Sequence, residues 1–234
     1  MTLFGRDSEN GNGNGNGNRN RDGTEADFGA ARDRMVDSLL GAGRIEREET
    51  IEALRAVPRH EFVPESRRET AYADRPLPIG AGQTISAPHM VGIICDHLEL
   101  EAGDSVLEVG TGCGYHAAVT AEIVGAGNVY SVEYVESLAA EARERLERLG
   151  YGGVHVRVGD GAEGWAENAP YDAAYLTCAA PDLPDPVVEQ LRVGGRLVAP
   201  VGTGRQTLVR AEKADDGLDR ERHGAVRFVT MQGE

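Results

Sequence analysis

From residue 105 to residue 201, short apolar runs alternate with longer stretches whose apolar residues recur every three or four positions. The runs predict buried strands at 105–109, 129–133, 154–158, 172–177 and 196–201. The stretches between them predict helices at 115–124, 136–149 and 184–191. In the middle helix Leu138, Ala142, Leu146 and Leu149 share one face. On its outer face Glu141–Arg145 and Glu144–Arg148 form i,i+4 pairs, each worth a few tenths of a kcal/mol. Repeating βα units of this kind predict an α/β fold, a doubly wound and mostly parallel sheet with helices on both faces. Two further runs near 207–212 and 225–230 predict an antiparallel final strand pair.

Upstream the pattern is different. Met35, Leu39 and Leu40 suggest one amphipathic helix; Ile51, Leu54 and Val57 suggest a second that Pro58 ends. Residues 62–90 are rich in proline and glycine and show little periodicity. Phe62, Val63, Tyr72, Leu77, Ile79 and Ile85 give that stretch too much apolar surface for disorder, so it predicts a long functional loop. Helical spacing resumes through Met90, Ile93, Ile94 and Leu98. Residues 1–24, dominated by Asn-Gly repeats, have almost nothing to bury and predict a disordered tail. The organisation expected is therefore a tail (1–24), helices with a substrate and cofactor loop as an N-terminal cap (25–100), and an α/β core (101–234). The last two should form one compact domain.

The most informative stretch is Val106-Leu107-Glu108-Val109-Gly110-Thr111-Gly112-Cys113-Gly114-Tyr115. Glycines at a strand's carboxyl end let the backbone turn tightly and let a ligand approach where a Cβ would collide. Open α/β sheets bind ligands there, so a nucleotide-like cofactor is expected. The dinucleotide fingerprint is G-x-G-x-x-G, with no acid built into the strand end. Here the spacing is Glu108-x-Gly110-x-Gly112-x-Gly114, and a second acid, Glu133, ends the next apolar run. Glu133 suits the hydroxyls of a ribose; Glu108 suits a cationic cofactor better than a pyrophosphate. This pattern resembles the S-adenosylmethionine-dependent methyltransferases.

Charge narrows the partners. The 234 residues carry 39 acids against 24 bases, a formal net charge of −15, and Lys213 is the one lysine. Such a surface repels phosphate backbones, so no nucleic-acid partner is expected. High acidity with few lysines resembles proteins of a salt-rich cytoplasm, where about 1 M salt cuts the Debye length to roughly 3 Å. An ordinary acidic cytosolic protein remains the alternative. Cys95, Cys113 and Cys178 lie far apart, with neither metal-ligand spacing nor a disulfide framework, which fits a reducing compartment and predicts no metal. No run of 18 apolar residues occurs and no apolar leader is visible, so a cytoplasmic protein without a membrane partner is expected.

A second constellation sharpens the picture. The segment Ala71 to Met90 includes Gly80-Ala81-Gly82-Gln83-Thr84-Ile85-Ser86-Ala87-Pro88, and Val57-Pro58-Arg59-His60-Glu61-Phe62-Val63-Pro64 precedes it. With Gly159-Asp160-Gly161, Tyr171-Asp172-Ala173, Ala179-Ala180-Pro181 and the run Gln190 to Gly202, these resemble the protein-L-isoaspartate O-methyltransferase family over roughly residues 33 to 204. The resemblance implies a repair enzyme. It would move a methyl group from S-adenosyl-L-methionine to the free α-carboxylate of isoaspartyl residues in proteins and peptides. It also implies Ser86 as the catalytic residue that orients the substrate carboxylate. Gln83, Thr84 and Ile85 would shape the cleft beside it. Glu108, Gly110 and Gly112 would border the methionine part of the cofactor, Glu133 would hold the ribose with Tyr134 along the adenine, and Asp160 and Gly161 would meet the adenine edge.

Bland alternatives stay open beside these roles: a helix cap for Ser86, a plain turn for Asp160-Gly161, a solvated strand end for Glu133. His89 lies close to Ser86, but without a G-x-S-x-G elbow it is expected to be a helix-start or core residue. Cys113 and Cys178 are expected to be packing residues, and Trp165 an anchor under the adenine-side loop. The family commonly ends its last strand with an aromatic-Val-Pro-Leu segment; here Phe228-Val229-Thr230-Met231-Gln232 replaces it, which puts C-terminal substrate contacts in doubt. A monomer is expected. Two other functions remain: a methyltransferase acting on another acceptor, or a non-catalytic paralogue that binds cofactor or damaged peptides. Lastly, the Asn-Gly tail itself consists of sites where isoaspartate forms fastest, which makes it a candidate substrate.

Overall fold

A computed structural model describes residues 24–233. The tail 1–23 lies outside the described residues. Helix α1 (Glu25–Gly41) starts at a capping box: the Thr24 hydroxyl accepts from the Asp27 amide, while the Asp27 carboxylate accepts from the Thr24 amide. Its buried face, Met35, Val36 and Leu39, meets Ala53 and Leu54 of α2 (Glu48–Ala56). Helix α3 (Pro88–Leu98) adds Val91, Ile94, Cys95 and Leu98 to the same core. Pro at the first helical position sets its start, where no amide partner is needed.

The low-periodicity stretch is ordered. Two short 3₁₀ turns (Arg59–Phe62 and Glu65–Thr70) lead into an antiparallel pair, β1 (Leu77–Gly80) and β2 (Gln83–Ile85). The main sheet contains β3 (Val106–Val109), β4 (Val129–Glu133), β5 (His155–Val158), β6 (Tyr171–Leu176), β7 (Leu191–Val201), β8 (Gln206–Ala214) and β9 (Gly217–Val226). Their order is β5-β4-β3-β6-β7-β8-β9, parallel from β5 to β7 and antiparallel beyond. Helices α4 (Tyr115–Val124), α5 (Glu136–Arg148) and α6 (Asp185–Glu189) make the crossovers.

Each interior strand is apolar because both its faces are covered. On β3, Val106 joins the core under the N-terminal helices, while Leu107 and Val109 join a second core around Leu176, Leu183 and Val187. The chain runs outward from β3 to β4 and β5, then returns to β6 on the other side. That reversal opens a crevice at the carboxyl ends of β3, β4 and β6, where open α/β sheets take ligands.

Three boundaries differ from the sequence pattern. Strand β7 begins at Leu191, which shortens the helix expected over 184–191 to Asp185–Glu189. The last strand is β9 at 217–226 rather than 225–230, since the hairpin that follows β8 turns at Asp215–Asp216. Residues 228–231 instead cross the carboxyl edge of the sheet: Ala179 N donates to Val229 O (2.7 Å) and Met231 N to Ala179 O (2.8 Å).

Candidate active site

Two clefts open where the sheet reverses. The first, about 530 Å³, is walled by Gln83 and Thr84, by Gly110 and Gly112 after β3, by Glu133 and Tyr134 after β4, by Gly161, and by Thr177 and Cys178 after β6. The second, about 960 Å³, is walled by Pro76, Thr84, Ser86, His89, Thr177 and residues 225–229. Thr84, Thr177 and Val229 belong to both, so the clefts meet along those three side chains.

The floor of the first cleft depends on glycine. Gly110 has φ +96°, and a Cβ there would come within 2.3 Å of Thr177 Oγ1. That hydroxyl donates to Gly110 O at 2.6 Å and to Val109 O at 3.2 Å, tying the loop to β6. Gly112 N donates to Glu133 Oε2 at 2.8 Å and Val135 N to Glu133 Oε1 at 2.9 Å. Two backbone donors thus fix the Glu133 carboxylate, and each oxygen keeps lone-pair capacity for a hydroxyl in the cleft. Burial pushes the Cys178 thiol beside it up to about 12, so no thiolate competes there for an electrophile.

Glu108 and Ile85 lie elsewhere than the resemblance suggests. Glu108 is fully buried beneath the loop and does not line either cleft. It sits opposite Ser131 on β4 and Tyr175 on β6, and both of those hydroxyls donate to it. Ser131 is bonded to Thr111 of the glycine loop, and Tyr175 to Thr120 of α4. Glu108 is thus the centre of a polar brace under the cleft, and burial raises its pKa to about 8. Ile85 packs in the core opposite Leu77, because alternation along an extended chain turns Thr84 and Ser86 one way and Ile85 the other.

Asp160 is also off both walls. Its Oδ1 accepts from Ala162 N at 2.9 Å, which starts the turn that presents Gly161 to the cleft. The chain at Gly233 passes over its carboxylate: a Cβ there would lie 2.3 Å from Asp160 Oδ2.

Ser86 is half-buried, and its carbonyl accepts from Arg59 Nη2 at 2.7 Å. It does not cap α3; the cap position is Ala87, with no side-chain cap bond. His89 starts α3 as its spacing suggests, yet it also lines the second cleft, with Nδ1 2.7 Å from Asp74 Oδ1. Sequence inspection missed Thr177 and the wall formed by 225–232. The signal for Thr177 was available: it follows the strand adjacent to β3, on the crevice side of the reversal.

Fit to S-adenosyl-L-methionine can be tested on these atoms. The floor accepts no Cβ at Gly110, an acid with free acceptor capacity stands at the β4 tip, and the cleft meets a second one along Thr84, Thr177 and Val229. The residues fit.

Comparison with known proteins agrees. Residues 30–234 match the family model described as Protein-L-isoaspartate(D-aspartate) O-methyltransferase (PCMT). A protein-L-isoaspartate O-methyltransferase 2 from Archaeoglobus fulgidus is 55% identical over 210 residues, 89% of this chain and 95% of that protein. A protein-L-isoaspartate O-methyltransferase from Methanothermobacter thermautotrophicus is 50% identical over 208 residues, 87% of this chain and 95% of that protein. Among solved structures, a protein-L-isoaspartate O-methyltransferase superposes with a TM-score of 0.80 at 31% identity, over 86% of this chain and 66% of that chain. A Plasmodium falciparum structure in complex with S-adenosyl-L-homocysteine superposes at 0.77 over 86% of this chain and 98% of that one; at 24% identity it shows the fold alone.

Proposed function

The chain belongs to the protein-L-isoaspartate(D-aspartate) O-methyltransferase family, and on that premise we propose how its two clefts divide the work. The enzyme moves a methyl group from S-adenosyl-L-methionine to the free α-carboxylate of L-isoaspartyl residues in damaged proteins. The first cleft holds the cofactor and the second the peptide. The observation that carries this division is the shared edge, Thr84, Thr177 and Val229, with Ser86 just across it.

The bound cofactor supplies a sulfonium-activated methyl carbon, so the hard chemistry is its own. An α-carboxyl group has a pKa of about 3.3–3.7 and is already ionised at neutral pH, so the protein need not remove a proton. What its residues contribute is orientation, which can remove roughly 7–11 kcal/mol from a bimolecular barrier. The Ser86 hydroxyl donates to one carboxylate oxygen and aims the other across the shared edge. Glu133 accepts from the ribose hydroxyls, Tyr134 lies along the adenine, and the Gly110–Gly112 backbone borders the methionine portion. Gln83 and Gly161 complete that wall. Val229 and its neighbours keep water from the junction, so the altered residues Thr230-Met231 still serve as a wall.

Several finer properties belong to the same proposal: activity in a salt-rich cytoplasm, a monomeric state, no nucleic-acid partner and action on D-aspartyl residues. Among the described residues no helix is long and apolar enough to cross a membrane. The test is labelled methyl transfer to matched isoaspartyl and aspartyl peptides, with Ser86→Ala alongside. Transfer is expected to the isoaspartyl form alone, with kcat/KM falling roughly 10²-fold in the variant and cofactor affinity unchanged. Equal labelling of both peptides overturns the assigned specificity.

A further inference from the structure

The two clefts carry opposite charge. Among the described residues, Glu133 is the one acid on the wall of the first cleft, and no base stands with it. The wall of the second cleft has no acid, and its basic residues are His89 and Arg227. That reverses the balance of the chain as a whole, which has 39 acids against 24 bases. An acid suits a cofactor with a positive sulfur, and a basic wall suits an acceptor that arrives as an anion.

The two basic residues differ in what they have left to give. His89 is committed: Asp74 Oδ1 lies 2.7 Å from its Nδ1 and accepts from its amide at 3.0 Å. An acid therefore stands against any charge that ring takes. Arg227 is exposed, and among the described residues its guanidinium has neither a hydrogen bond nor an ion pair. Its backbone, by contrast, is held. The buried Gln206 side chain closes on both main-chain groups of the next residue: Phe228 N donates to Gln206 Oε1 at 2.6 Å, and Gln206 Nε2 donates to Phe228 O at 3.0 Å. Phe228 itself packs against the core, and Val226 ends β9 opposite Gln206. A guanidinium on such a fixed support is ready for a carboxylate, which it takes through two parallel hydrogen bonds.

The position of Arg227 decides which carboxylate that is. It does not line the cofactor cleft, whereas Val229, two residues on, stands on the edge that the clefts share. Two residues span at most about 7 Å. The α-carboxylate that takes the methyl group has to lie at the shared edge, so a group at Arg227 is one or two peptide steps away from it. A cleft of about 960 Å³ is near the top of the usual range for ligand sites, and it takes neighbours of the damaged residue as well. The geometry points to Arg227 as a specificity residue that pairs with an acidic side chain flanking the isoaspartyl site, an inference that rests on the repair reaction proposed above. Damaged sites within acidic segments are thus the preferred substrates. Arg227 makes and breaks no covalent bond; it sets the affinity of the acceptor, while Ser86 sets its aim.

Matched isoaspartyl peptides with Glu, Gln or Lys on both sides of the damaged residue would test this. Labelled methyl transfer at low salt and saturating S-adenosyl-L-methionine gives kcat and KM for each. The Glu peptide should show a KM roughly two- to fivefold below that of the Gln peptide, the range of a solvent-exposed ion pair, with kcat alike. The Lys peptide should show the highest KM. In Arg227→Gln the ratio of the two KM values should fall to about one, and in Arg227→Glu the order should invert in favour of Lys. A ratio within one protein does not depend on how much of a variant is folded. Salt near 1 M, which cuts the Debye length to roughly 3 Å, should shrink the preference of the unaltered protein. Equal KM values for its Glu and Gln peptides overturn the inference and leave the repair function standing. A ratio that survives Arg227→Gln overturns the assignment to this residue, and so does an equal rise in KM for both peptides, which would place Arg227 on the α-carboxylate itself. If no isoaspartyl peptide is labelled, the repair function fails.

Discussion

Replacing Glu108 by Gln tests the polar brace directly. The side chain is fully buried, and desolvation raises its pKa from 4.5 to about 8, against the hydrogen bonds from Ser131 and Tyr175 that favour the ionised form. Between those two values the folded protein holds a proton that the unfolded chain has released. A native state that binds the extra proton loses stability as pH rises. Stability from this group is therefore highest below pH 4.5 and declines until the pH passes about 8. Each pH unit well inside that window is worth about 1.4 kcal/mol, so from pH 6 to pH 8 the loss is roughly 2 kcal/mol after partial titration near the upper end. Glutamine keeps the shape and accepts from one hydroxyl but does not titrate. Urea unfolding of both proteins at pH 6, 7 and 8 would read the difference. Groups with the opposite slope, such as His60, His97 and His116, whose pKa values desolvation lowers, occur in both proteins and cancel. The expected outcome is that the variant gains about 2 kcal/mol on wild type between pH 6 and 8. A gap that stays constant across that range refutes the buried, proton-holding carboxyl.

Two other changes probe the cofactor cleft. Gly110→Ala forces a side chain into φ +96° and against Thr177 Oγ1. Backbone strain of about 1–3 kcal/mol should lower S-adenosyl-L-homocysteine affinity by roughly tenfold or more in calorimetry, with the peptide KM little changed. Thr177→Val removes the donor that ties the glycine loop to β6 and should cost about 0.5–1.5 kcal/mol in unfolding free energy. Its effect on kcat should exceed that on cofactor affinity, because Thr177 also borders the acceptor cleft. An unchanged kcat would remove it from the junction.

The main sheet was legible because both faces of β3, β4 and β6 are buried, and burial on both sides leaves an unbroken apolar run. The cofactor loop was legible for a related reason: a backbone that must turn after β3 and leave room for a ligand admits little but glycine. Facing direction was not legible. Glu108 lies on a strand whose every residue is buried, so its sequence neighbours cannot say whether its carboxylate meets the cleft or the two hydroxyls beside it. Thr177 and Val229 depend on pairings across the sheet and across its edge, between segments 50 or more residues apart. The final strand was misplaced because β9 is exposed along nearly its whole length and carries almost no apolar signal.

Arg59 explains why two separated motifs act as one. Its side chain is completely buried among apolar neighbours, and desolvation lowers its pKa from the usual value. Nε donates to Ala71 O at 2.8 Å and Nη2 to Ser86 O at 2.7 Å, while the guanidinium carbon lies 4.7 Å from the centre of the Tyr115 ring. Among the described residues no carboxylate pairs with it. Burying a cation this way is costly unless its donors are used; here Nε and Nη2 clamp the two ends of the 71–86 stretch, while Nη1 has no hydrogen-bond partner among the described residues. That stretch buries Ala71, Leu77, Ile79 and Ile85 in the core, and the clamp fixes its two ends beside them. The Val57–Pro64 segment is thus needed to set the position of Ser86, 27 residues downstream of the arginine it supplies. A lysine, with one point charge and no planar fork, could hold either carbonyl but not both in this geometry.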